Sequence, residues 1–155
     1  IRYEVCGIAE YSYPAGYYDL VVSNLALHYL ADLDDIYRKA FSTLRPGGVF
    51  LFNIEHPVFT AGVREDWVRD TEGRPVCWPV DNYYYPGERT TLFLGQEVKK
   101  QHHTLTQILM GLIRCGFVLE AVEEAMPDPS MLDLPGMADE LRRPMMLLVK
   151  ARKPV

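Results

Sequence analysis

Histidines beside carboxylates are the residues of this sequence best suited to moving a proton. Glu55 and His56 stand together directly after an apolar run, His28 follows an earlier apolar run, and His102 and His103 form a pair. A neutral imidazole, with an unperturbed pKa of about 6.5, can accept a proton at neutral pH, and a neighbouring carboxylate can orient it. Because successive side chains of an extended chain point in opposite directions, Glu55 and His56 are predicted to face different sides.

The spacing of these residues disfavours two other kinds of chemistry. The histidines do not stand as His-x-x-x-His or His-Glu-x-x-His, and the three cysteines do not bracket them, so no metal site is predicted. A hydrolase is disfavoured because no Gly-x-Ser-x-Gly turn presents a nucleophile.

A strand, a helix and a second strand must position these residues. Residues 20–22 are apolar on both faces, as in a central strand of a parallel sheet. The helix that follows is predicted to begin after an Asp32 cap and to stop at Pro46, where two glycines turn the chain into a strand over residues 49–54. Such a β-α-β unit has parallel strands and a right-handed connection, and it places the protein in the α/β class.

Later parts of the chain supply one more helix and two more strands. Thr104 and Gln107 match a capping box at the start of a helix that a glycine ends. Residues 117–125 and 145–153 are predicted strands, and the chain opens with a strand-like alternation at residues 1–5.

Residues 57–95 lack clear periodicity and are rich in Pro, Gly, Trp and Tyr. A segment of this length is too long for a plain connection between two elements. It is therefore predicted to be an insertion that covers a substrate.

Composition and charge exclude several kinds of partner. A chain of 155 residues fits one domain, and its net charge of −5 attracts neither nucleic acid nor an anionic membrane surface. No apolar run approaches the ~18 to 20 residues that span a bilayer. Three scattered cysteines favour reduced thiols, so a soluble cytoplasmic protein is predicted.

The order of elements and four stretches of sequence resemble the second half of a class I S-adenosylmethionine-dependent methyltransferase. The stretches are YDLVVSNLALHYL, LRPGGVFLFNIEHP, IRCGFVLEAVEE and RRPMMLLVKARK. The chain is most similar to small-molecule methyltransferases of the ubiquinone/menaquinone-biosynthesis type, also described as methyltransferase type 11-like. The resemblance covers most of the chain and is weakest over residues 60–95.

The resemblance implies a Rossmann-like sheet with strand order 3-2-1-4-5-7-6 and an antiparallel last strand. This chain would supply the counterparts of strands 3 to 7, as a partial methyltransferase domain over residues 1–155, truncated at the N-terminus. The family's glycine-rich loop and its ribose-binding acid would lie before Ile1, so about half of the cofactor site is expected here. The later strands are expected to form one contiguous sheet, with residues 1–5 left without a native partner.

The resemblance also implies where S-adenosyl-L-methionine binds. Ser23, Asn24 and Leu25 would lie beside the cofactor at the end of the first central strand. The stretch GIAE corresponds to a family stretch written Gly-Asp-Ala-Glu, in which the Asp binds the adenine amino group. Ile8 replaces that Asp, so the side-chain contact is lost, although the backbone of Ile8 and Ala9 can still meet the adenine edge.

His28, His56 and His103 are the candidates for removing a proton or orienting the substrate. A structural alternative stays open for each: His28 capping the following helix or packing on it, His56 bonding to a backbone carbonyl, and His103 standing solvated ahead of a helix.

Substrate contacts are expected from Tyr29, Glu55, Tyr83 and Tyr84. Aromatic residues of the 57–95 insertion, including Trp67 and Trp78, are alternatively a small core of that insertion. The charges at 98–100 and 142–144 are predicted to be solvated.

The expected function is methyl transfer to a small-molecule acceptor, with this chain as the C-terminal part of the catalytic domain and inactive alone. The alternative is a non-catalytic binding or interaction module derived from the same fold. The methyl acceptor, its acceptor atom and the oligomeric state are left open by the sequence.

Overall fold

The computed structural model describes residues 1–62 and 64–155. The strands are β1 (Tyr18–Asn24), β2 (Leu44–Glu55), β3 (Val68–Arg69), β4 (Pro75–Cys77), β5 (Gly87–Phe93), β6 (Gln96–His102), β7 (Val118–Glu124) and β8 (Met146–Arg152). The α-helices are α1 (Leu33–Thr43), α2 (Pro57–Thr60) and α3 (Leu105–Cys115), and short 3-10 turns occupy Leu27–Tyr29, Pro129–Met131 and Met137–Arg142. Within these described ranges, no helix combines the length and the apolar composition needed to cross a bilayer.

Four strands form the central sheet, in the order β1-β2-β8-β7. β1 and β2 are parallel, whereas β8 is antiparallel to both β2 and β7. β1, β2 and β7 therefore run in the same direction, and their carboxyl ends lie at one edge of the sheet. The predicted contiguous sheet with an antiparallel last strand is confirmed over these four strands.

Residues 1–5 form no strand, so the prediction of a strand there is wrong. Ile1 and Val5 are fully exposed, and no strand of the described residues pairs with this segment. An extended segment is not stable without neighbouring strands and a buried apolar face.

Helix α1 begins where the sequence predicts. The Asp32 side chain caps it by accepting a hydrogen bond of 2.9 Å from the backbone N–H of Asp35. Tyr37 and Ala40 are buried against the sheet. The helix ends at Thr43, and the chain passes directly into β2.

The Arg-Pro-Gly-Gly stretch is a long bulge inside β2 rather than a turn before the strand. Tyr18 pairs with Leu44 and Leu20 with Val49, so residues 45–48 form a bulge between two paired positions. The first of its two glycines has a φ of 80°, which favours glycine. The predicted start of this strand at residue 49 is therefore corrected to Leu44, whose buried side chain holds the chain in register before the bulge.

Helix α3 has the predicted caps at both ends. The N–H of Gln107 donates to Thr104 Oγ1 over 3.2 Å, and the N–H of Thr104 donates to Gln107 Oε1 over 2.9 Å. Gly116 ends the helix with a φ of 101°. The core between the sheet, α1 and α3 is aromatic and aliphatic, with Tyr37, Phe50, Phe52, Leu112 and Val149 among its buried members.

Residues 57–95 contain regular structure that the sequence did not reveal. α2 starts the segment, β3 and β4 form a short antiparallel pair, and β5 pairs with β6 in a hairpin. The hairpin turns at Leu94 and Gly95, both with positive φ, and continues to His102. The chain that leaves the sheet at the end of β2 thus returns to it through β6 and α3.

Candidate functional site

A groove with a volume of about 310 Å³ lies at the carboxyl end of β1. It is lined by Ile8, Tyr13, Val21, Val22, Ser23, Asn24, Ala26, Leu27, Ile36, Ala40 and Phe50. Three of the five residues predicted to bind the cofactor, Ile8, Ser23 and Asn24, therefore share one groove. In open α/β sheets, ligands bind outside the carboxyl ends of the strands, which is where this groove lies.

The loop before β1 is held beside the groove by two side chains that donate hydrogen bonds to its backbone carbonyls. The Tyr13 hydroxyl donates to the carbonyl of Ile8 over 2.8 Å, and the Lys39 ammonium donates to the carbonyl of Ala9 over 2.8 Å. Ala9 does not line the groove itself. These two bonds fix the backbone next to the position where a ligand would meet Ile8.

Two polar residues of β1, Ser23 and Asn24, line the groove. Ser23 Oγ is buried and has no hydrogen-bond partner among the described residues. Asn24 Oδ1 accepts from Asn53 Nδ2 over 3.1 Å, which leaves the two N–H donors of the Asn24 amide for a ligand. A hydroxyl and an amide beside an apolar floor fit the hydrogen-bonding groups and flat ring of a nucleoside.

Leu25 follows β1 in a left-handed conformation with a φ of 54°. Its N–H donates to the carbonyl of Asn53 over 2.9 Å, so the bend is held against β2. This conformation is costly for a residue with a bulky side chain, and such outliers cluster at ligand sites. Here it ends β1 abruptly at the edge of the groove.

A buried charge cluster lies beyond the carboxyl end of β2. Lys100 Nζ is 2.6 Å from Glu55 Oε1 and 2.9 Å from Glu65 Oε2. The Lys100 side chain is only 2% exposed, and Glu55 and Glu65 are 8% and 6% exposed. The cluster joins the sheet, the 57–95 segment and the β5–β6 hairpin.

His28 touches the same cluster from the turn that follows β1. Its Nδ1 accepts a long hydrogen bond of 3.4 Å from the backbone N–H of Glu55, and its Nε2 lies 3.9 Å from Glu55 Oε1. Burial, with a smaller effect of the Lys100 charge, lowers the pKa of His28 to about 4. At neutral pH the ring is therefore uncharged, with its hydrogen on Nε2.

One ammonium serves two carboxylates in this cluster, so the fully ionised cluster has one excess negative charge. Burial raises the pKa of Glu55 and of Glu65, and the hydrogen bonds from Lys100 offset this only in part. Burial acts to lower the pKa of Lys100, but its bonds to both carboxylates outweigh burial and raise that pKa. Glu55 Oε2 and Glu65 Oε1 have no partner among the described residues, so acceptor capacity remains.

His56 points away from this cluster, as the alternation of the strand predicts. Its Nδ1 accepts from the N–H of Val58 over 3.0 Å and so caps α2, while its Nε2 lies 2.9 Å from Glu124 Oε1 at the end of β7. Burial lowers the pKa of His56, and the Glu124 charge opposes this. Glu55 and His56 thus face different neighbours.

His102 and His103 also lie in enclosed positions. His102 Nε2 donates to the carbonyl of Tyr83 over 2.8 Å, and its Nδ1 accepts from the Thr60 hydroxyl over 2.7 Å. His103 Nε2 donates to the carbonyl of Leu30 over 2.8 Å. Burial lowers the pKa of both histidines. His28, His56 and His103 therefore have different partners, and no contact within the described ranges joins them.

The four residues predicted to contact substrate differ in exposure. Tyr29 is half-exposed beside the His28 ring, with the two ring centroids 4.4 Å apart. The Tyr83 hydroxyl accepts from the N–H of Leu105 at the start of α3, whereas Tyr84 is largely exposed. Tyr29 and Glu55 lie near His28, and Tyr83 lies near His102.

The aromatic residues of the 57–95 segment form a small core. Phe59 stacks on Trp78 with ring centroids 5.1 Å apart, and Trp67 meets Trp78 edge-on at 5.4 Å. The Arg143 guanidinium lies 4.3 Å from the Trp78 ring and forms two hydrogen bonds with Glu140. This core gives the segment its own packing.

Two charged residues predicted to be solvated are buried, which corrects that prediction. Lys100 is enclosed by Glu55 and Glu65, and Arg143 is enclosed by the small aromatic core. Residues 98, 100 and 102 share one face of strand β6, and both Lys100 and His102 are buried on that face. Nothing local in the sequence marks Glu65 as its partner.

No three His, Cys, Asp or Glu side chains within residues 1–62 and 64–155 are arranged to hold a metal ion. The donors gathered here suit organic ligands instead: hydroxyl, amide, imidazole and carboxylate groups beside apolar walls.

Known proteins share this arrangement of elements. Residues 1–52 match the family described as "Methyltransferase domain". A Listeria monocytogenes protein, with a crystal structure assigned as an S-adenosylmethionine-dependent methyltransferase, is 45% identical and has a TM-score of 0.94, covering 99% of this chain and 69% of that one. The chain belongs to the S-adenosylmethionine-dependent methyltransferases. An S-adenosylmethionine-dependent methyltransferase of Mesorhizobium loti is 42% identical, with a TM-score of 0.87 over 97% of this chain and 68% of that one.

A curated relative of this methyltransferase chain comes from Haemophilus influenzae and is described as an uncharacterized protein. It is 28% identical over 145 residues, which are 90% of this chain and 56% of that protein. The chain thus spans little more than half the length of this curated relative.

Proposed function

We propose that this chain forms the C-terminal part of a catalytic domain that transfers a methyl group from S-adenosylmethionine to a small-molecule acceptor. The observation that carries the proposal is the groove at the carboxyl end of β1, where Ile8, Ser23 and Asn24 meet. Membership of the methyltransferase family also supports a cofactor site in this groove.

The groove residues would hold the cofactor through a few polar contacts. The Asn24 amide would supply free N–H donors, the Ser23 hydroxyl would have to turn toward the ligand from its buried position, and the backbone of Ile8 and Ala9 would meet the adenine edge. The sharp bend at Leu25 would bring backbone against the ligand. S-adenosylmethionine, when bound, supplies an electrophilic methyl group.

The acceptor would lie near the ends of β1 and β2, beneath the cover formed by residues 57–95. Tyr29 and Glu55 would contact it from the sheet side, and Tyr83 and Tyr84 from the cover. Methyl transfer requires mainly alignment of the nucleophile with the methyl group, together with removal of a proton where the nucleophile is a hydroxyl.

The geometry of His28 supports an orienting role more than proton removal. Its Nδ1 already accepts the N–H of Glu55, and its Nε2 carries the hydrogen. Glu55 Oε2 retains an unused acceptor site and has a raised pKa caused by burial. Catalytic roles for His28, His56 and His103 remain predictions, to be separated by substitution once the acceptor is identified.

Substitution in the groove tests the cofactor part of the proposal. Asn24→Ala is expected to weaken binding of S-adenosylhomocysteine about ten-fold, since one hydrogen bond is lost. Gln96→Ala removes an amide from the tip of the exposed hairpin and serves as the matched control. Equal affinity of both variants and the unaltered protein, measured by calorimetry, would contradict the placement of the cofactor.

A further inference from the structure

The loop of residues 7–11 has only its backbone with which to meet the edge of a base. Ile8 stands where the family resemblance places an Asp, so its side chain cannot accept a hydrogen bond from an adenine amino group. Residues 1–7, which lead into this loop, are exposed. The groups that hold the carbonyls of Ile8 and Ala9 therefore set the position of the backbone beside the groove.

The stretch between this loop and β1 is anchored to the end of α1. Thr43 Oγ1 donates to the carbonyl of Pro14 over 2.6 Å, and the N–H of Gly16 donates to the carbonyl of Ser42 over 2.9 Å. Tyr13 comes directly before these two anchors in the chain. Its backbone is thus fixed by the fold itself, with or without a ligand.

Tyr13 reaches from this anchored stretch back to the loop. Its hydroxyl donates to the carbonyl of Ile8 over 2.8 Å, and Tyr13 and Ile8 both line the groove. Burial raises the pKa of Tyr13, so the hydroxyl keeps its proton and remains a donor at neutral pH. The bond ties a residue of the groove wall to the backbone that a ligand would meet.

Lys39 holds the next carbonyl of the loop from α1. Its ammonium donates to the carbonyl of Ala9 over 2.8 Å and lies 2.7 Å from Asp35 Oδ2, one turn earlier in the helix. The N–H groups of Ile8 and Ala9 make no hydrogen bond among the described residues, so the donors of this backbone are unused. Adenine carries ring nitrogens that accept such bonds at its edge.

We propose that Tyr13 and Lys39 are positioning residues that fix the backbone of Ile8 and Ala9 for the selection of adenine. They act through the two carbonyls that they bind, so their effect falls on recognition of the base. The inference rests on the proposed function, because it requires the cofactor to lie in the groove at the end of β1.

The test compares two ligands that differ only in the base. S-inosylhomocysteine carries hypoxanthine, in which a carbonyl replaces the amino group of adenine and an N–H replaces an accepting ring nitrogen. In calorimetric titrations of the polypeptide as the genome encodes it, S-adenosylhomocysteine is expected to bind at least about ten-fold more tightly, because hypoxanthine loses a hydrogen bond to the backbone. Tyr13→Phe removes only the hydroxyl, and Lys39→Met keeps the aliphatic stem. Each is expected to reduce this preference about five-fold.

Tyr17→Phe and Arg38→Met are the matched controls and should keep the full preference. Tyr17 is exposed, and Arg38 pairs with Asp35 at the surface of the same helix. Equal weakening of both ligands by Tyr13→Phe and Lys39→Met would show a general loosening of the fold, and an unaltered preference would show that the loop needs no such support. Either result would overturn the positioning role and leave the proposed function standing. Absence of S-adenosylhomocysteine binding by the unaltered polypeptide would instead contradict the proposed function, and this inference with it.

Discussion

Lys100 and Glu55, 45 residues apart in the chain, form a buried ion pair in which Nζ lies 2.6 Å from Oε1. The pair joins the end of strand β2 to the β5–β6 hairpin, and Glu65 completes it from the intervening segment. Burying charges is costly, so such a cluster persists only while each member keeps its partners. The 57–95 segment, which we propose covers the acceptor site, is therefore held to the sheet by groups that are intolerant of single substitutions.

Lys100→Met is expected to lower the free energy of unfolding by about 3 to 5 kcal/mol, since it leaves two carboxylates buried without a cation. Lys99→Met is the matched control, because Lys99 is exposed and forms its ion pair, with Glu88, at the surface. The control is expected to cost about 0 to 1 kcal/mol. Urea denaturation at pH ~7 measures both values.

The cost of Lys100→Met is expected to decrease on acidification. Burial raises the pKa of Glu55 and Glu65, and loss of the ammonium raises it further, so protonation favours the folded variant. The difference between the variant and the unaltered protein should therefore be smaller at pH ~5 than at pH ~7. A difference that stays constant or grows would contradict this account of the cluster.

The buried, neutral His28 is expected to make the folded protein less stable as the pH is lowered. Burial and then the Lys100 charge lower its pKa to about 4, so the unfolded chain, with an imidazole pKa near ~6.5, takes up the proton first. The contribution of His28 to the stability of the fold is fully present above its pKa in the unfolded chain. It is lost as the pH falls toward the pKa of His28 in the folded protein. His28→Asn should remove about 2 kcal/mol of the stability loss between pH ~7 and pH ~5.

Nitrogen NMR of the imidazole rings provides the independent check on His28. The ring should stay neutral down to pH ~5, with the hydrogen on Nε2 and an unprotonated Nδ1. A titration midpoint near ~6.5 would show that the ring is solvated and would contradict the enclosed geometry.

His56 is expected to stabilise α2 mainly as a cap. His56→Asn keeps a side-chain oxygen that can accept the N–H of Val58, whereas His56→Ala removes the cap, so the alanine variant should be about 1 kcal/mol less stable than the asparagine variant. Both variants lose the contact with Glu124, which cancels in the comparison. Coincident urea transitions of the two variants would show that the cap contributes nothing.

Ile8→Asp is expected to strengthen binding of S-adenosylhomocysteine about ten-fold, if the cofactor lies in the groove. Ile8 lines the groove where the family resemblance places an Asp, and a carboxylate would accept the adenine amino group. Ile8→Leu, which adds no polar atom, is the control and should bind with unchanged affinity. Weaker binding by the aspartate variant in calorimetry would contradict the adenine position.

The sequence predicts the sheet and the helix caps because these depend on neighbouring residues. Asp32 before α1 and the Thr104–Gln107 box before α3 act within one turn of the chain, and the structure confirms both. The first five residues show the limit of such patterns. Their alternation resembles a strand, but a strand also needs a partner, which no local pattern reports.

The candidate site is only partly predictable for the same reason. Ile8, Ser23 and Asn24 converge at one groove as the resemblance implies. The sequence predicts a solvated Lys100, which is wrong, because the burial of Lys100 depends on Glu65, 35 residues earlier in a segment without periodicity. A buried lysine becomes predictable only when its tertiary partners are known.

Calorimetric titration of S-adenosylhomocysteine tests the central claim most directly. The titration uses the 155-residue chain and, beside it, the polypeptide as the genome encodes it, with any sequence that precedes Ile1. The proposal predicts saturable binding by the encoded polypeptide and much weaker binding by the 155-residue chain, which is expected to hold about half of the cofactor site. No binding by the encoded polypeptide would contradict the methyltransferase function, and equally tight binding by the 155-residue chain would contradict the half-site.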